Sequence, residues 1–314
     1  MGESNVRLPT VVIPFEADCR SSRCQDVFVY LRPETNGIRV ESVMMRTLSQ
    51  RPQYKDRVHI AYLANLPGDF IQKNRIIEDH YRLKLLFTKR GKQLFTPYMR
   101  REFSRYFGVP FEEARIYGAF EAMKKLGYTR EELFHLWVPK KDVFHLNGQT
   151  IKRCGERDFV INYDIPGILH KNTVSTDVAV MILRTTFDPK ELQRMIMDIV
   201  EELRREGILD NSKGYSRVFH FSKGPFEQIL DAVGFLYDAE GKHIPLSNVH
   251  FYTYLLEKGL ESHEVSEVLR NPIFRFGKNG RGDFEETIYA ATFEQNYEEA
   301  YRTLLSAKAQ VILE

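Results

Sequence analysis

The residues best suited to acid–base work lie in "INYDIPGILHKNTVSTDVAV", residues 161–180. Asp164 follows an apolar stretch, His170 stands on the segment beyond it, and Asp177 opens the next apolar run. Carboxylates and an imidazole at the ends of neighbouring strands can converge at one sheet edge, where open α/β sheets place their ligand crevices. Together they would serve as general acid and base, or as a metal pair with a base, on an anionic or phosphorylated substrate. The same residues have a plainer use, because strand-end aspartates cap turns and a loop histidine is often simply solvated.

A different chemistry is written in "KNRIIEDHYRLKLLFTKRGKQLFTPYMRREFSRYF", residues 73–107, which holds ten Lys and Arg against three acids. Arg82, Lys84, Lys89, Arg90, Lys92, Arg100, Arg101 and Arg105 form the candidate polyanion-binding set. Between the cations run Tyr81, Phe87, Phe95, Tyr98, Phe103, Tyr106 and Phe107. Cations neutralise phosphates and rings stack on bases, which is the physics of a single-stranded nucleic-acid groove. Helical spacing would instead turn many of the rings inward as core, leaving the cations solvated. No RNP, KH or complete helix-turn-helix signature accompanies the patch. "LLEKGLESHEVSEVLRNP" evokes the first half of a helix-turn-helix, with Ser262 as a cap, but Pro272 and a strand-like run follow where a recognition helix should be.

"FGKNGRGDFEE", residues 276–286, offers Gly277, Gly280 and Gly282 beside Lys278 and Arg281 as an anion-cradling loop. It fits neither dinucleotide nor P-loop spacing and reads equally as a hairpin tip. Cys19 and Cys24 flank two arginines in "EADCRSSRCQD", where Arg20 and Arg23 would lower a thiol pKa. Cys154 is the third cysteine, and an odd count favours reduced thiols, with the motif acting as a polar turn between two strands. No metal-ligand spacing and no nucleophile elbow is present, so neither a metal nor a cofactor is assigned.

What must position these groups is an ordinary globular chain of 314 residues, 43% hydrophobic and 28% charged, long enough for one or two domains. Its net charge of +2 hides an asymmetry, since the basic excess falls in residues 1–186 and the acidic excess in 187–314. The N-terminus lacks a signal-peptide run, and no apolar stretch approaches the roughly 20 residues that span a bilayer. A cytoplasmic address with no membrane partner is expected.

The runs "TVVIPFEA", "DVFVYLRP", "IRVESVMMRTL" and "RVHIAYLAN" predict strands of an antiparallel sheet, with Pro33 to Gly37 as a hairpin between the second and third. Residues 66–140 turn helical: "FEEARIYGAFEAMKKLG" sets Ile116, Phe120 and Met123 on one face, and Thr129 with Glu132 forms a capping box. Beyond "VPKKD" come a hairpin at Asn147-Gly148 and a buried strand from Val178 to Leu183. A helix capped by Asp188 and Pro189 follows, with Leu192, Ile196, Ile199 and Leu203 on one face.

The fold class is α+β: an N-terminal antiparallel sheet, a helical middle layer and a C-terminal α/β sandwich with βαβ-type units, a ferredoxin-like arrangement being one form it can take. The expected division is 1–140 and 141–314, unless both share one core. The function expected is non-enzymatic binding or regulation through a basic-aromatic surface over residues 73–105, engaging nucleic acid or an acidic protein. The alternatives are an enzyme acting at Asp164, His170 and Asp177, and a structural subunit of a larger assembly.

Overall fold

The structure, a computed structural model, describes residues 6–17, 24–278 and 282–313. Its strands are β1 (Thr10–Ile13), β2 (Gln25–Leu31), β3 (Val58–Pro67), β4 (Arg115–Gly118), β5 (Val143–Leu146) and β6 (Gln149–Arg153). They continue as β7 (Asp158–Ile161), β8 (Asp177–Thr185), β9 (Phe219–Phe221), β10 (Ile273–Lys278), β11 (Gly282–Thr287) and β12 (Ala307–Gln310). Helices are interspersed and the sheets are antiparallel apart from one parallel pair, so the class is α+β. Two compact units are interleaved along the chain: Met1–Ile76 with Lys171–Val265 and Thr292–Tyr301, and Ile77–His170 with Ser266–Ala291 and Arg302–Glu314.

In the first unit five strands run in the order β1-β3-β8-β2-β9. The near-continuous apolar run of β8 follows from its place between β3 and β2, antiparallel to both, with every residue after Asp177 buried. Ala179, Met181 and Leu183 of β8 enter a core shared with two helices, Ile38–Gln50 and Pro189–Arg205. The first of these helices overturns the strand expected for "IRVESVMMRTL" and the hairpin before it. Its buried residues, Val40, Val43, Met44, Thr47 and Leu48, repeat at helical spacing, and this period outweighs the β-branched content. Asn36 is not a turn tip either: its side-chain carbonyl accepts from Ala179 N at 2.9 Å. The second helix is capped as its sequence predicts, by Asp188 with Pro189 in the first turn.

The second unit holds a four-stranded sheet, β4-β7-β6-β5, and a three-stranded sheet, β11-β10-β12. The β5–β6 hairpin turns at Asn147-Gly148 as expected, with both residues at positive φ. The single long helix expected over "FEEARIYGAFEAMKKLG" does not form. Residues Arg115–Gly118 are β4, parallel to β7, and the helix begins at Ala119. Gly118 permits this: a Cβ there would lie 2.0 Å from the Thr88 carbonyl oxygen. Ile116 is therefore buried from a strand, while Phe120 and Met123 belong to the helix. The capping box at Thr129 and Glu132 is present.

Cys24 is disulfide-bonded, which overturns the reduced-thiol expectation for it; Cys154 is a free, partly buried thiol. Cys19, Arg20 and Arg23 lie outside the described residues.

Candidate functional site

A groove of the second unit is built on the Pro97–Phe107 helix. Thr96 caps it, accepting from Met99 N at 3.1 Å, with Pro97 in the first turn and Gly108 left-handed at the end. Met99, Phe103 and Phe107 turn inward at helical spacing and join Phe87 and Phe95 in an aromatic core. Four of the seven rings in the basic stretch are thus core, for the reason helical spacing gives. Tyr98 and Tyr106 remain partly exposed.

The groove, about 990 Å³, runs from this helix to the β10–β11 hairpin and is lined by Tyr98, Arg101, Glu102, Arg105, Arg275, Asp283, Phe284 and Glu285, with Pro97 and Gly282. Arg101 and Arg105 stand one turn apart, and both bind Glu102, Arg101 Nε at 3.2 Å from Oε1. Arg275 on β10 faces its cross-strand partner Glu285 on β11 at 3.2 Å. The Thr96 hydroxyl donates to the other Glu285 oxygen at 2.6 Å, so the helix cap also fixes the hairpin carboxylate. Exposure divides the ions sharply. The side chains of Glu102 and Glu285 are 9% and 1% exposed, whereas those of Arg101, Arg105 and Arg275 are 63%, 78% and 47% exposed. Buried carboxylates therefore anchor guanidinium groups whose remaining donors face solvent.

Of the eight cations proposed from sequence, only Arg101 and Arg105 line this groove. Lys92 and Arg100 meet elsewhere, over the Phe111 ring at 4.8 and 5.2 Å, and Lys92 donates to the carbonyls of Glu112 and Ala114. Arg82, Lys84, Lys89 and Arg90 stand on the Arg82–Arg90 helix, outside the groove lining. Lys278 ends β10, and Arg281 lies outside the described residues. Arg275 and Glu285 escaped sequence reading, since alternate charges on two short strands look like a solvated face until the hairpin register pairs them.

The proposed acid–base trio is divided between units. Asp177 belongs to the first, where the Arg7 guanidinium lies 3.1 Å from its carboxylate through Nη1 and holds Asp69 through its other nitrogens. Asp164 and His170 belong to the second. His170 is exposed on a turn, and Asp164 precedes the short Ile165–Ile168 helix. The Asp164 Oδ1 is buried without a hydrogen-bond partner among the described residues. Near it in charge is Lys152 of β6, a residue the sequence reading passed over. Lys152 is only 8% exposed, donates to the Leu136 carbonyl and sits 3.4 Å from the Tyr163 ring centre. Burial pushes its ammonium pKa down to about 8, against the opposing pull of the Asp164 charge.

Two buried polar clusters of the first unit were also not foreseen. Asp26 and Arg184 form a bidentate pair across β2 and β8, at 2.8 and 3.1 Å, with His250 3.4 Å from Asp26. His220 on β9 lies 3.3 Å from Asp231 and 3.8 Å from Glu227, and stacks on Tyr30 at 4.5 Å. Among the described residues no group of three or more His, Cys, Asp or Glu is placed to hold a metal. No family model, curated protein or solved structure matches the chain.

Proposed function

We propose that the protein is a non-enzymatic binding protein whose arginine groove engages an anionic chain bearing phosphates or carboxylates. One observation carries the reading: Arg101, Arg105 and Arg275 come from two distant chain segments and surround one groove, each anchored by a buried carboxylate and projecting into solvent. Arginine forks held this way meet planar oxyanions with little further loss of side-chain freedom. With most of the expected rings in the core, base stacking contributes little, and recognition rests on charge. The basic surface is accordingly narrower than residues 73–105 and includes Arg275.

The cytoplasm is the address we assign. No helix among the described residues is long and apolar enough to cross a membrane. The Cys24 disulfide bears on that address, because a reducing compartment disfavours it. Rapid alkylation of freshly lysed cells decides between a reducing and an oxidising compartment: a single alkylated thiol per chain, Cys154, with Cys24 kept in its disulfide, argues for the oxidising one and against the assigned address, and three alkylated thiols support the address.

The test of the groove is binding of labelled single-stranded RNA and labelled polyglutamate to wild type and to two variants. Arg101→Gln, Arg105→Gln and Arg275→Gln combined should weaken binding by about tenfold or more, and Arg82→Gln with Lys89→Gln should leave it within about twofold. Glutamine keeps a donor toward Glu102 and Glu285, and a thermal melt checks that the fold survives. Equal binding by both variants would overturn the assignment.

A further inference from the structure

A second site, independent of the groove, lies in the first unit where the Pro225–Phe235 helix begins. Gly224 is the N-cap of that helix, and a Cβ there would lie 2.4 Å from the Thr292 carbonyl oxygen, so the chain after Thr292 packs closely on the helix start. Beside this contact remains a cavity of about 20 Å³, room for one water or for the head of a small anion. Val27, Phe221 and Leu192 give it apolar walls, and Ser222, Lys223 and Gln228 line it with donors. Two of these donors are oriented from behind. The Asp26 N–H donates to the Tyr297 hydroxyl oxygen at 3.4 Å, and that hydroxyl donates to Gln228 Oε1 at 3.1 Å, which leaves Gln228 Nε2 as the end of the amide that faces the cavity. Gln228 is 3% exposed, and its Nε2 makes no hydrogen bond among the described residues. Ser222 is 2% exposed; its oxygen accepts from Phe28 N at 3.0 Å, and its own proton has no acceptor among the described residues. Buried donors without acceptors are costly, and these two meet at one cavity beside the first amides of a helix, which themselves lack helical acceptors. Glu227 of the same turn does not satisfy them, because Lys223 N donates to it at 2.7 Å and it lies outside the lining.

We propose that this cavity binds a small monocarboxylate with an apolar tail. Its oxygens accept from the Gln228 amide and the Ser222 hydroxyl at the positive end of the helix, and Lys223 supplies the countercharge at the rim. The tail lies along Leu192 and Phe293. Phe293 is 44% exposed and the Lys223 ammonium lies 6.0 Å from its ring centre, so an apolar ring and a cation border the same opening. The charge of the lining favours a monoanion: among the described residues it holds one cation, Lys223, and the Glu294 carboxylate beside it repels a dianion such as phosphate.

The experiment titrates the full chain with butyrate, followed by saturation-transfer NMR, in competition with inorganic phosphate and with butylamine. Butyrate should bind saturably, and neither competitor should displace it at equal concentration. Gln228→Glu keeps an oxygen for the Tyr297 hydroxyl but replaces the donor with a carboxylate, and should weaken binding about tenfold or more. Lys223→Met should weaken it and Glu294→Gln tighten it, each by about twofold or more. Both of those side chains are exposed, so the two variants read the site without disturbing the core. Absence of saturable butyrate binding would leave the cavity to water and overturn the proposal. Equal binding by wild type and the three variants, or displacement of butyrate by phosphate or butylamine at equal concentration, would overturn it as well.

Discussion

Asp231 is fully buried on the Pro225–Phe235 helix, with His220 at 3.3 Å and Glu227 one turn earlier on the same helix face. Burial pushes the Asp231 carboxyl well above its ordinary value, with the Arg32 charge opposing. Burial also raises Glu227, with His220 opposing. A carboxyl whose folded pKa is raised contributes stability that is fully present below its unfolded value near 4 and is lost as pH rises through the folded value. Wild type should therefore melt at a lower temperature at pH 8 than at pH 5, while Asp231→Asn should melt higher than wild type at pH 8 and show a flatter profile. Matching pH profiles for the two proteins would refute this role. Nothing local in "GPFEQILDAVGFLYD" marks Glu227 and Asp231 as buried. Which face of a helix is buried depends on what packs against it, and for this helix that is the His250–Glu257 helix and β2, the latter far away in sequence.

Elements with local signals were legible, and those decided by distant partners were not. The Pro189–Arg205 helix carries its whole definition in sequence: Asp188 accepts from Glu191 N at 2.8 Å, and Glu191 accepts from Asp188 N at 3.1 Å. Asp188→Ala removes one half of that capping box and should cost about 1 kcal/mol in chemical denaturation; a loss under about 0.3 kcal/mol would contradict the cap's role. The Ile38–Gln50 helix was misread because its Val and Ile content outweighed a period that the core enforces through Met195, Ile199 and Leu203. Ion pairs link the same two helices, from Arg51 to Asp198 at 2.6 Å and to Glu202 at 2.8 Å. Strand β4 is four residues long and exists because β7 pairs with it, a non-local partner that no window of sequence contains.

Over the whole molecule, each compact unit is assembled from both halves of the sequence, and the split of charge along the chain is redistributed between them: the first unit holds 22 Lys and Arg against 26 Asp and Glu, and the second, which carries the groove, holds 23 against 17. β8 and the Pro189–Arg205 helix fall on opposite sides of that split and share one core. The groove follows the same rule: Arg101 and Arg105 were legible as part of a basic run, whereas Arg275 reaches them only through folding. The most direct measurement of the groove's role is the salt dependence of single-stranded RNA and polyglutamate binding by the full chain, followed by fluorescence anisotropy beside the Arg101, Arg105 and Arg275 triple variant. Three phosphate contacts predict that log affinity for RNA falls with log salt at a slope of about −2, and that the triple variant loses both the affinity and the slope. No binding of either polymer at low salt, or a triple variant with the wild-type slope, would contradict it.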